Sequence, residues 1–193
     1  MKQIVKSTNS TIVRNQLQYR KGNTTQNAVI RDLLIEEQQG FCAYTEARIS
    51  VTDSIDIEHF DEKLKYRPDD NYFNWYAVSH RWNNKFKKDH KVPVVLPHDD
   101  DLEQRIWYDE STGHYLCDQD DLAANNLIEI VGLNQCGLPQ ERMGHVQLIK
   151  DLLKESMLDD FHEWLLFPET KKQLIKFRRA METALVINLS MIF

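Results

Sequence analysis

In Ile57-Glu58-His59-Phe60 an acid stands directly before a histidine; Asn74 follows, and Asn83 comes nine positions later. These residue types suit phosphodiester hydrolysis by a one-metal centre. An imidazole with an ordinary pKa near ~6.5 can take a proton from water at neutral pH. A carboxylate can hold a divalent cation, which stabilises charge on a phosphate oxygen and on the leaving oxygen. The reading makes His59 the general base and Glu58 a metal ligand. Asn74 is expected to accept the other ring N–H of His59, and Asn83 to give a neutral oxygen ligand. Two protein ligands make a lean site, which suits Mg²⁺ or Mn²⁺, ions that keep several waters. Lys87 is four residues beyond Asn83 and shares its helix face, where it would meet phosphate. His80, three before Asn83, is a backup ligand, a packing residue or a phosphate contact.

Around these residues the pattern forecasts an α+β fold. A helix is expected over residues 27–39, with Asn27 as N-cap and Ile30, Leu33 and Leu34 as its apolar stripe. Ile49-Ser50-Val51 and Ile55-Asp56-Ile57-Glu58 read as two short strands. Alternation sends Asp56 and Glu58 to the face opposite Ile55 and Ile57. A polar loop over 61–70 leads to Tyr72–Val78, and a helix is expected from Ser79 to Lys88, completing a ββα order. Arg105–Tyr108 and His114–Cys117 read as a hairpin. The stripe Met143, Val146, Ile149, Leu153, Met157, Phe161 and Trp164 forecasts a long amphipathic helix. Pro168 is a start for another, carrying Leu174, Phe177, Met181 and Leu185. The apolar stretch 184–193 is expected to be buried in the chain, a partner-docking surface being the sharper alternative. Residues 1–98 would hold the first helix and the core, and 99–193 the hairpin and helical part, packed as one compact unit.

No apolar run approaches a membrane span, and the start lacks the apolar core of a signal peptide. Cys42, Cys117 and Cys136 are an odd, scattered set, which argues for a reducing cytoplasm over a disulfide framework. The net charge of −6 excludes indiscriminate coating of nucleic acid, yet its distribution is uneven. Arg81, Lys85, Lys87, Lys88 and Lys91 face only Asp89 between residues 79 and 91. With His80, the first four are candidate phosphate contacts; the alternative is a solvated face. Between Asp99 and Asp121, nine acids stand against Arg105 alone. That segment could mimic phosphate on the basic helix, dock on a basic partner, or be a solvated loop.

At these residues the chain resembles the HNH endonuclease superfamily, in the branch whose third position is Asn. Ile57-Glu58-His59-Phe60, Asn74-Trp75 and Asn83 carry the match, and Ile130-Val131-Gly132-Leu133-Asn134 with Leu138 and Arg142 looks like the branch's downstream segment. The resemblance implies a mainly helical α+β protein with an embedded ββα-metal unit and an additional β-hairpin. It implies metal ligation by Glu58 and Asn83, His59 as base and Asn74 as its orienter. The family's two Cys-x-x-Cys knuckles, which hold a structural zinc, here read Cys42-Ala43-Tyr44-Thr45 and Ser79-His80-Arg81-Trp82. One thiolate cannot close a tetrahedral site, so no structural zinc is expected, with Trp82 and Tyr44 filling the volume.

Loss of the knuckles beside an intact catalytic set looks most like the PtuB-like subunits of Septu and retron-associated antiphage systems. That likeness implies a DNA- or tRNA-cleaving effector partnered with a PtuA-like ATPase, and in some cases with a retron reverse transcriptase and its small DNA. The chain has no phosphate-binding Gly-x-x-x-x-Gly-Lys-[Ser/Thr] loop of its own. The competing readings are a catalytically silent HNH-fold module that partners an ATPase, and an unrelated α+β protein with a coincidental motif.

Overall fold

The computed structural model describes residues 1–156, 163 and 173–189. Among these it is α+β, with seven α-helices and two small antiparallel hairpins. The first hairpin joins β1 (Ile55–His59) to β2 (Trp75–Ser79), pairing Ile57 with Ala77 and His59 with Trp75. Two-residue alternation then divides the sheet between two cores. Trp75 and Ala77 pack with Ile55 and Ile57 against Ile12, Ile30, Leu34 and Tyr72. Tyr76 and Val78 point the other way, into a larger cluster that runs from Met1 to Leu189. A two-stranded sheet leaves polar edges that must be satisfied. Buried Gln38 does this for β2, accepting the Ala77 N–H at 2.8 Å and donating to the Ala77 carbonyl at 2.9 Å.

Two helices cover the first core. α1 (Thr11–Arg14) is capped by Ser10 and α2 (Thr24–Glu37) by Asn23, whose side chain accepts the Gln26 N–H. The expected cap, Asn27, lies inside α2, because Asn23 offers an oxygen one turn earlier. α3 (His80–Lys85) leaves β2 directly and packs on both strands. It ends three residues before Lys88. Ile49-Ser50-Val51 is not a strand; the Ile49 N–H bonds to the Gly40 carbonyl, and the partner of β1 comes from beyond the 61–70 loop.

The remaining described elements close the large core. α4 (Leu102–Arg105) precedes β3 (Trp107–Tyr108), which pairs with β4 (Tyr115–Leu116), a shorter hairpin than the alternation suggested. α5 (Leu122–Ile130) is capped by Asp121. α6 (Leu138–Glu155) opens after Gly137, which adopts φ +78, with Pro139 in its first turn. α7 (Arg178–Leu185) begins after Phe177 and Leu174, which the periodicity had placed inside that helix. Leu189 is fully buried while Val186 is exposed. Met157, Phe161, Trp164, Pro168 and the end of the apolar tail lie outside the described residues. No described helix is long and apolar enough to cross a membrane.

Candidate active site

Glu58 and His59 leave β1 on opposite sides. The even-numbered side chains meet α3: Asp56 Oδ2 accepts from Asn83 at 3.1 Å and Asn84 at 3.2 Å, and its carboxylate pairs with His80 Nδ1 at 3.0 Å. Glu58 is buried and ion-paired with Lys87 through Oε1. Lys87 Nζ also donates to the His59 carbonyl at 3.1 Å and to Glu62 Oε2 at 3.3 Å. Burial pushes the Glu58 carboxyl above its ordinary range; Lys87 opposes this, as does a hydrogen bond with Asn83. The spacing therefore brings Glu58, Asn83 and Lys87 to one place. Lys87 turns inward onto the carboxylates instead of outward to phosphate.

His59 has its ring on the other face, only 2% exposed. Tyr19 packs edge-on at 4.6 Å between ring centroids, with Trp75 at 6.3 Å. Nε2 lies 3.1 Å from Asp70 Oδ2, a close pair without linear hydrogen-bond alignment, and Nδ1 is buried without a hydrogen-bond partner. Burial drives the His59 pKa down to about 4; Asp70 opposes the shift, and Lys65 and Lys87 reinforce it. Burial thus favours the neutral imidazole at pH 7 while reducing its basicity.

The side chain beside the His59 ring is Asp70, and Asn74, expected there, is instead bonded to Asp61 and Asp70. Asn74 Oδ1 takes the Asp61 N–H at 2.8 Å, and its amide donates to the Asp61 carbonyl at 3.2 Å and to Asp70 Oδ1 at 3.0 Å. The Trp75 indole donates to the same Asp70 oxygen at 2.8 Å. Asn74 is spent on pinning both ends of the 61–70 loop, and it acts on His59 only through Asp70. Sequence reasoning missed Asp70, Glu62 and Tyr19. The first two sit among several acids of one polar loop, and nothing local distinguishes them. Tyr19 lies far from the motif in sequence.

The oxygens around Lys87 Nζ provide a test of whether a divalent cation suits this place. Two carboxylates and a backbone carbonyl already surround one positive charge, and the Asn83 side chain adjoins Glu58. Hard oxygen donors of this kind fit Mg²⁺ or Mn²⁺ once the ammonium withdraws. Elsewhere the basic block is divided. Arg81, Lys85 and Lys88 are exposed, as is His80 beside Asp56, whereas Lys91 pairs with Glu129 at 2.6 Å.

Several acids of residues 99–121 have local partners, and Glu103 and Glu110 pair with distant Lys2, Arg179 and Lys150. Asp121 holds Arg105 and caps α5, Asp99 accepts the Leu96 N–H, and Asp109 accepts from Ser111 and Thr112. Cys42, Thr45, Ser79 and Trp82 line one cavity of about 220 Å³. Cys42 Sγ there accepts the Ser79 N–H at 3.4 Å. Trp82 packs against Phe86, tilted, at 4.4 Å and donates to the Val131 carbonyl, while Tyr44 is fully buried near Tyr76. Among the described residues no three His, Cys, Asp or Glu side chains form a metal-holding group.

Comparisons of the chain with protein-family models, curated proteins and solved structures found no match.

Proposed function

We propose that the chain is a divalent-cation-dependent endonuclease of the HNH type, acting on DNA or tRNA phosphodiester bonds. The observation that carries this reading is the meeting of Glu58 and Glu62 around a cationic position, with Asn83 against Glu58, next to a histidine held neutral. His59 accepts a proton from the attacking water while Asp70 steers its ring. The water oxygen bonds to phosphorus, the P–O3′ bond breaks, and the leaving oxygen is protonated from solvent. Glu58, Glu62 and Asn83 would hold Mg²⁺ or Mn²⁺, which when bound supplies stabilisation of charge on the phosphate and on the leaving oxygen. Exposed Arg81, Lys85 and Lys88 are suited to adjacent phosphates. The resemblance to PtuB-like subunits extends the proposal to an antiphage effector working in the cytoplasm beside a PtuA-like ATPase.

Plasmid, single-stranded DNA and total tRNA incubated with the protein and Mg²⁺ or Mn²⁺ test the activity. His59→Ala is expected to lower cleavage by roughly 10²-fold or more, as for loss of a general base. Full activity in that variant, with the fold intact, overturns the proposal. One observation favours the silent-module reading: His59 is covered and Lys87 fills the cationic position. Absence of cleavage with every substrate and both metals, alone and with the ATPase, would select it.

A further inference from the structure

The face of His59 turned away from α3 ends in a basic, aromatic pocket that the motif does not include. Tyr19 and Tyr66 come from different loops and stack at 5.8 Å, their planes 24° apart. Lys65 Nζ lies 5.6 Å and 5.5 Å from the two ring centroids. The open cavity beside them measures about 550 Å³, and Arg20, Lys21, Arg67 and Asp70 contribute to its wall. Tyr66 is 52% exposed and holds φ +66, a left-handed conformation that costs a non-glycine residue energy and presents the ring to solvent. Asp70 is the one acid of that wall, and its oxygens are already engaged by His59, Asn74 and Trp75.

We infer that this pocket binds an unpaired base of a single-stranded nucleic acid, with Tyr66 as the stacking platform and Arg20, Lys21, Lys65 and Arg67 on the flanking phosphates. A ring with one face toward solvent, surrounded by cations, matches the chemistry of a base and its backbone. In a duplex the bases are stacked on one another and cannot reach such a ring. The inner ring of the pair, Tyr19, packs against His59. A base seated on Tyr66 thus continues a ring stack whose inner member touches the proposed general base. The inference concerns binding, and rests on the nuclease reading only for any consequence to cleavage.

Fluorescence anisotropy in EDTA, where no hydrolysis occurs, tests binding by itself. A labelled single-stranded oligonucleotide is compared with its blunt duplex and with AMP as competitor. Single strands are expected to bind more tightly than duplex, and AMP to compete weakly. Tyr66→Asn, a residue tolerant of the left-handed region, is expected to weaken binding roughly tenfold, in the range for loss of one stacked base. Tyr66→Phe should bind like wild type. Unchanged affinity in Tyr66→Asn, preferred binding of the duplex, or equal affinity for AMP would each overturn the inference. Cleavage lost in His59→Ala but unaffected by Tyr66→Asn would leave the nuclease reading standing without it. Tyr66-dependent binding without cleavage would do the reverse.

Discussion

An ammonium group, Lys87 Nζ, sits among the oxygens proposed to hold a divalent cation. Two positive charges cannot share that space, so Lys87 and the metal compete. Lys87→Met should raise Mn²⁺ affinity by roughly tenfold or more, a gain of about 1.4 kcal/mol, by removing the competitor. It should also lower metal-free stability, because it strands the buried Glu58 carboxylate. Titration calorimetry with Mn²⁺ and urea unfolding in EDTA read the two effects. Weaker Mn²⁺ binding in the variant would show that Lys87 is no competitor. The neighbouring His59 is kept neutral by burial, which lowers its pKa to about 4 and makes it a weaker base than an exposed imidazole.

At the scale of elements, the loop from residue 61 to 70 makes the site, and Asn74 holds that loop closed. Its side chain bonds the backbone on both sides of Asp61 and reaches Asp70. Asn74→Ala removes three contacts in a mostly buried setting, with an expected cost of about 1–3 kcal/mol. The variant's single-strand affinity should fall as well, because the loop carries Tyr66, Lys65 and Arg67. Asn74→Asp should keep the contact to the Asp61 N–H and lose those donated by the amide. Thermal unfolding and anisotropy distinguish this from an Asn74 that serves His59 alone, for which binding would not change. The β3–β4 hairpin and α2 were legible in residues with two- and three-to-four-residue periods. The partner of β1 was not, because Trp75–Ser79 is buried on both faces and shows no alternation, whereas Ile49–Val51 does, and only long-range pairing separates them.

For the molecule as a whole, the buried carboxylate of Glu46 links distant segments. It accepts the Lys2 N–H, the Arg179 N–H at the start of α7 and the Tyr115 hydroxyl of β4, at 2.8–2.9 Å. Burial raises its pKa, but the Met1 amine and these donors outweigh that and hold it below 4.5. A carboxyl depressed on folding contributes stability above its unfolded value, and this is lost as pH falls through the folded one. Wild-type stability should therefore decline below about pH 4.5. Glu46→Gln should be less stable at pH 7 and lose less on acidification. Urea unfolding at pH 7, 4.5 and 3 measures both; parallel profiles would remove Glu46 from this role.

What the sequence determined by itself was the α+β character and the convergence of Glu58 and Asn83. Strand alternation and helix periodicity act over a few residues and survive any packing. What only the tertiary structure decided was who partners whom. Asp70 took the place expected of Asn74, Lys87 turned to carboxylates instead of phosphate, and Tyr19 covered His59. Each depends on a loop or strand far away in the chain. Burial and the nearest free donor settle such contacts, and neither is written in local spacing.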